Sequence, residues 1–163
     1  MIKFPLLCLL FFVTAQYAYA GFADEIAKGI FQKKVDQLYA NAMSCRPLET
    51  DSKTSMNVLD WIKTQPPLPG WAMLADIENT ANESRKYARS IGGKDKILHC
   101  LAGCYLAKKL DYPSAVLVGW MKELQDASDC SKKTSFEKKD YDATVIGAKL
   151  AAFEKTCDKL CKK

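Results

Sequence analysis

Little in this chain points to a familiar chemistry. It carries one histidine, His99, in 163 residues, so a His-Glu-x-x-His zinc motif cannot be built. Neither a Gly-x-Ser-x-Gly elbow nor a known Cys-His nucleophile pairing is present. Cys100 adjoins His99, but neighbouring helix residues diverge by about 100 degrees. Gly92-Gly93-Lys94 lacks the preceding strand and the spacing of a phosphate loop. There is no strand-like alternation, no internal repeat and no low-complexity segment. There is also no strong charge of either sign. The formal net charge is +5, and the lysines at 132, 133, 138 and 139 are interleaved with Glu137 and Asp140. Such a balance describes a solvated surface and argues against a nucleic-acid partner.

The N-terminus is informative. Lys3 supplies a short positive region, Phe4 to Val13 is apolar apart from Pro5, and Ala18-Tyr19-Ala20 places small residues before Gly21. That pattern predicts a cleavable signal peptide over residues 1–20. The alternative is a retained anchor, but the apolar run is shorter than the ~20 residues a spanning helix needs. Cys8 follows Leu7, where a lipobox wants a small residue, and it lies too early for lipidation. Cleavage leaves residues 21–163, the size of one domain, with one positive charge fewer. No membrane span is expected after cleavage.

Six cysteines then remain: Cys45, Cys100, Cys104, Cys130, Cys157 and Cys161. An even number in an exported chain predicts disulfides, with 15 possible connectivities for six cysteines. A thiolate metal site is the competing reading, because Cys100/Cys104 and Cys157/Cys161 each share a helix face at i,i+4. Exported thiols meet oxidants first, which favours disulfides. Cys130 lies at the same open end as Cys100, so a bond from Cys130 to Cys100 or Cys104 is expected.

The pattern is all-α, with about five helices in one domain. Residues 22–43 are amphipathic, with Phe22, Ile26, Ile30, Val35, Leu38 and Ala42 at helical spacing. Residues 50–57 read as a loop, and a short helix covers 56–63 before the break Pro66-Pro67-Leu68-Pro69-Gly70. A helix from Trp71 to Ile91 ends at Gly92-Gly93 and completes an N-terminal half over 22–91. Asp95 can cap a helix over 96–110. Asp111-Tyr112-Pro113 turns the chain into another over 114–126. Both are apolar on nearly every side, so 96–126 reads as a buried helical hairpin. After a polar loop over 127–135, Thr134 or Ser135 can cap a last helix reaching Cys161, of which 151–163 form a cysteine-bearing tail. Trp61, Trp71 and Trp120 read as core or loop anchors. Asn82-Glu83-Ser84 fits a glycosylation sequon, which matters only in a eukaryotic secretory pathway.

One constellation stands out. His99 and Glu123 are equally far from the turn near Asp111, so in an antiparallel hairpin they stand at one height. Asp126 shares a face with Glu123, whereas Lys122 points elsewhere. A last helix running back along the second arm would bring Asp140 and Asp142 to the same end. His99, Glu123, Asp126 and Asp140 are therefore the candidate catalytic residues. Paired imidazole and carboxylate can serve as a general base or as half of a site for a hard or borderline divalent metal ion. The same groups can equally form a buried polar clamp that fixes helix register, and the clamp is the commoner use.

Three blocks carry a family likeness: Asp95-Lys96-Ile97-Leu98-His99, then Lys122-Glu123-Leu124-Gln125-Asp126, then Phe136 with Asp140-Tyr141-Asp142-Ala143-Thr144-Val145-Ile146-Gly147. Over residues 93–150 the chain resembles the YfiM-type small bacterial envelope proteins and, more distantly, the VanZ-like membrane proteins. The resemblance implies that Asp140 rather than Asp142 holds the acidic position, and that Gly147 holds the glycine. Thr144 stands where the VanZ-like set has Asn. The likeness also implies an envelope location and a helical hairpin. Three functions fit: a periplasmic interaction or accessory factor with an envelope protein partner, a metal-assisted or acid/base hydrolase of an envelope polymer, and a secreted toxin or immunity protein.

Overall fold

The turn signals mark where the chain bends. The computed structural model describes residues 6–45, 57–69, 71–130, 135–153 and 155–162. Among these lie seven helices and no strand: α1 (Leu6–Ser44), α2 (Val58–Ile62), α3 (Trp71–Ile91), α4 (Asp95–Lys109), α5 (Tyr112–Ser128), α6 (Lys138–Leu150) and α7 (Cys157–Cys161). The fold is all-α and disulfide-linked, as expected. Lys3, Phe4, residues 50–56, Gly70, Thr134 and the side chains of Phe22 and Trp71 lie outside the described residues.

Local chemistry accounts for the boundaries. The Asn57 side chain caps α2 by accepting from the Leu59 N–H at 3.0 Å. Gly92 and Gly93 end α3 with φ of +73° and +142°, a region that L side chains avoid. Asp111 caps α5 by accepting from the Ser114 N–H at 2.7 Å, and Pro113 sits in the first turn. Asp95 is the first residue of α4 rather than its cap; Lys94 holds that position. Ser135 precedes α6 without capping it, since Glu137 is the cap residue.

Two expectations about the helices need correction. α1 runs unbroken through Ala20 and Gly21, and its inward face is Phe31, Val35, Leu38 and Ala42. Ile26 and Ile30 are 48% and 66% exposed, because the buried stripe follows the i,i+4 step from Phe31 and not from Ile26. The last helix is not continuous to Cys161. α6 stops at Leu150, and the chain turns before α7, which brings Cys157 and Cys161 back onto α4. No helix among the described residues is long and apolar enough to cross a membrane.

The hairpin α4–α5 is buried, with Leu101, Leu106, Leu117, Trp120 and Leu124 nearly or wholly inaccessible. One face of α5 packs on α1 and α2, where Trp61 and Trp120 join the core and Trp61 meets Phe136 and Tyr141 edge-on. α6 runs antiparallel to α5 and parallel to α4, since Lys96 meets Asp140 at one end and Lys108 donates to the Phe153 carbonyl at the other. The α4–α6 contact is backbone to backbone. A Cβ on Gly103 would collide with the Thr144 carbonyl, and one on Gly147 with the Cys100 carbonyl.

The six cysteines from Cys45 to Cys161 pair, as Cys45–Cys130, Cys100–Cys161 and Cys104–Cys157. This supports an oxidising, non-cytoplasmic compartment and removes the thiolate metal reading. The expected partner of Cys130 is corrected. Cys130 follows α5, where α1 ends, and so bonds Cys45. Cys100 and Cys104 instead meet α7, whose own i,i+4 pair forms two rungs.

These contacts make two outcomes measurable. Gly147→Ala should lower unfolding free energy by about 3 kcal/mol, because overpacking must push α4 and α6 apart. Gly29→Ala, with nothing near its added Cβ, should raise it by about 0.5–1 kcal/mol. Urea denaturation of both variants checks the pair. Replacing either rung between α4 and α7 by serines should cost only a fraction of the ~4 kcal/mol expected when both are removed. One rung alone still closes the long loop. The same denaturation series, with disulfide mapping of each variant, tests this.

Candidate functional site

The candidate site sits where the first turns of α4 and α6 meet the last turns of α5. Gly93 makes the approach tight, since a Cβ there would strike Ile97. Asp95, Lys96 and His99 then fall within the first turns of α4. Because α4 lies parallel to α6 across the Gly103–Thr144 and Cys100–Gly147 contacts, these side chains face Glu137, the cap of α6, and Asp140.

Lys96 is the centre. Its ammonium donates to Asp95 Oδ2 at 2.9 Å, to Glu137 Oε2 at 2.7 Å and to Asp140 Oδ1. Burial pulls the pKa of Lys96 down, but hydrogen bonds to the three carboxylates outweigh it and leave the group above its usual value. His99 Nε2 lies 3.5 Å from Asp140 Oδ2 and 3.8 Å from Asp95 Oδ1. The Lys96 hydrogen bond holds Asp95 below the ordinary range. Burial raises Asp140 despite the opposing Lys96 and His99.

The expected His99–Glu123 contact is not made; no hydrogen bond or ion pair joins these two described residues. They stand at one end of the hairpin, but α6 takes the position between them. Asp140 meets His99, while Glu123 Oε2 accepts from the Glu137 N–H at 2.9 Å, the unpaired donor at the start of α6. Asp126 pairs with Lys122 on its own helix, and Asp142 with Lys138 at 2.8 Å. Of the four predicted residues, His99 and Asp140 touch directly. Glu123 borders the cluster through α6, and Asp126 stands behind it. Lys96 and Glu137 were not anticipated as members, although Lys96 lies within the motif that singled out His99.

A cavity of about 230 Å³ opens beside the cluster between α3, α4 and α5. His99 and Asp95 border it, together with Arg85, Arg89 and Lys122. Lys122 therefore faces the site rather than pointing elsewhere.

Asp95, His99 and Asp140 each offer a ligand atom within 4.8 Å of those of the other two, close enough for a shared cation. The Lys96 ammonium, however, already binds one oxygen of each of these two carboxylates. A divalent ion would have to share the pocket with a fixed positive charge, so the donor set as arranged does not fit one.

Glu123 is 1% exposed. Burial lifts its carboxyl to about 8, with the Glu137 N–H opposing and Asp126 and Asp140 adding to the rise. A raised carboxyl favours the protonated folded state, so this stability is present below about pH 4.5 and lost as pH rises through about 8. Unfolding free energy should therefore fall by a few kcal/mol between about pH 5 and pH 8. Glu123→Gln, which keeps the acceptor and removes the titration, should flatten that fall. Denaturant titrations at the two pH values measure it, and an equal slope in both proteins would refute the assignment.

No family model, no curated protein and no solved structure matches this chain, so what the site can do follows from its own geometry.

Proposed function

We propose that the chain is an exported, non-enzymatic interaction or accessory factor of the bacterial envelope, with a protein partner and a polar cluster that braces its fold. The N-terminal signal pattern and the envelope-family resemblance support export to the periplasm. The three disulfides agree with an oxidising compartment. One observation carries the non-enzymatic reading: each carboxylate of the cluster is engaged from within the chain. Lys96 holds Asp95, Glu137 and Asp140, Lys122 holds Asp126, and the Glu137 N–H holds Glu123. Catalytic carboxylates need a free lone pair aimed at substrate. These are turned toward two ammoniums and one helix start, the geometry of a register clamp. Ile26, Ile30 and Met43 on α1 remain exposed and offer apolar surface for a partner.

A second reading, a metal-assisted or acid/base hydrolase, is favoured by His99 alone. It pairs with Asp140 on the rim of an open cavity, as a general base would.

Melting curves with and without chelator separate the two. For a brace, Lys96→Met strands three carboxylates, two of them largely solvated, and should cost about 2–3 kcal/mol. His99→Ala should cost about 1 kcal/mol, and chelator should move neither curve. A chelator-sensitive melt, or turnover of an envelope polymer abolished by His99→Ala with folding intact, would favour the hydrolase.

A further inference from the structure

The cavity beside the cluster is unlike a packing defect. Its walls are small where larger side chains would close it: Ala81 and Ala88 from α3 and Ala102 from α4. Protein interiors are otherwise close-packed. At about 230 Å³ it exceeds the roughly 150 Å³ apolar cavity that admits benzene. Leu98, Leu106 and Val118 complete an apolar interior.

The rim is cationic. Arg85 and Arg89 are exposed, one turn apart on α3, and neither makes a hydrogen bond or ion pair among the described residues. Like charges at i,i+4 weaken a helix, and two free guanidinium forks at one pocket mouth match an anionic head. Lys122 adds a third cation, balanced by Asp126. Asp95, balanced by Lys96, disfavours a multiply charged head on that side.

We propose that the cavity between α3, α4 and α5 binds a small monocarboxylate with a compact apolar body, its head between Arg85 and Arg89 and its body among Ala88, Ala102 and Val118. The site requires neither turnover nor metal, and it stands whether the neighbouring cluster is a brace or a catalyst.

Calorimetric titration of the full oxidised chain with benzoate tests the assignment. Saturable binding is expected, about tenfold weaker in Arg85→Gln and again in Arg89→Gln. Benzyl alcohol, which has the body without the charge, should bind at least about tenfold more weakly than benzoate. Ala102→Leu should abolish binding by filling the cavity; the arginine variants, being at the surface, decide the question if that chain does not fold. Absent benzoate binding, or binding indifferent to both arginines, would overturn the site. Inorganic phosphate binding as tightly as benzoate would reduce it to an anion patch. Laurate binding more tightly would replace the compact body by an acyl chain.

Discussion

The contact between α4 and α6 through Gly103 and Gly147 sets the arrangement of everything around it. Two parallel helices that are not neighbours in the chain approach until backbone meets backbone. That approach decides which side chains share a face at the end of the bundle. With bulkier residues at these glycines the helices would stand apart, and Lys96 could not span Asp95, Glu137 and Asp140 together. The polar cluster is thus a product of packing, and its ion pairs lock a geometry that the glycines permit.

Within that frame the ammonium of Lys96 and the carboxyl of Glu123 divide the labour. Lys96 gathers three acids from two helices at a partly solvated edge. Glu123 works in the dry interior, where its oxygen meets the first backbone donor of α6. A buried carboxyl without a full counter-charge is costly when ionised, which is why burial moves its protonation toward neutral pH. The two groups respond to different conditions, Lys96 to salt and Glu123 to pH.

Much of the helical skeleton was legible because its signals are local. Gly92-Gly93, Asp111 with Pro113, and the proline run before Trp71 each act over a few residues, and the corresponding boundaries fall where these residues stand. The height of His99 and Glu123 along the hairpin was legible from counting alone. Their contact was not, because orientation around a helix axis depends on α6, a partner far along the chain. The break at Leu150 hid the return of α7 for a similar reason: no proline or strong turn residue marks it. The matching i,i+4 spacing of Cys100/Cys104 and Cys157/Cys161 was the available sign that these pairs face each other. The cavity escaped because alanines on α3 look unremarkable until two other helices fail to fill the space above them.

The disulfide pairing also bears on how the chain reaches this structure. In the order of synthesis the six bonded cysteines are Cys45, Cys100, Cys104, Cys130, Cys157 and Cys161, and no native bond joins consecutive ones. An oxidant acting as the polypeptide emerges would first link Cys45 to Cys100, or Cys104 to Cys130. Those linkages must be undone by thiol–disulfide exchange before Cys157 and Cys161 can engage. Wherever consecutive cysteines pair first, the native pairing is therefore reached by exchange between thiolate and disulfide rather than by oxidation alone.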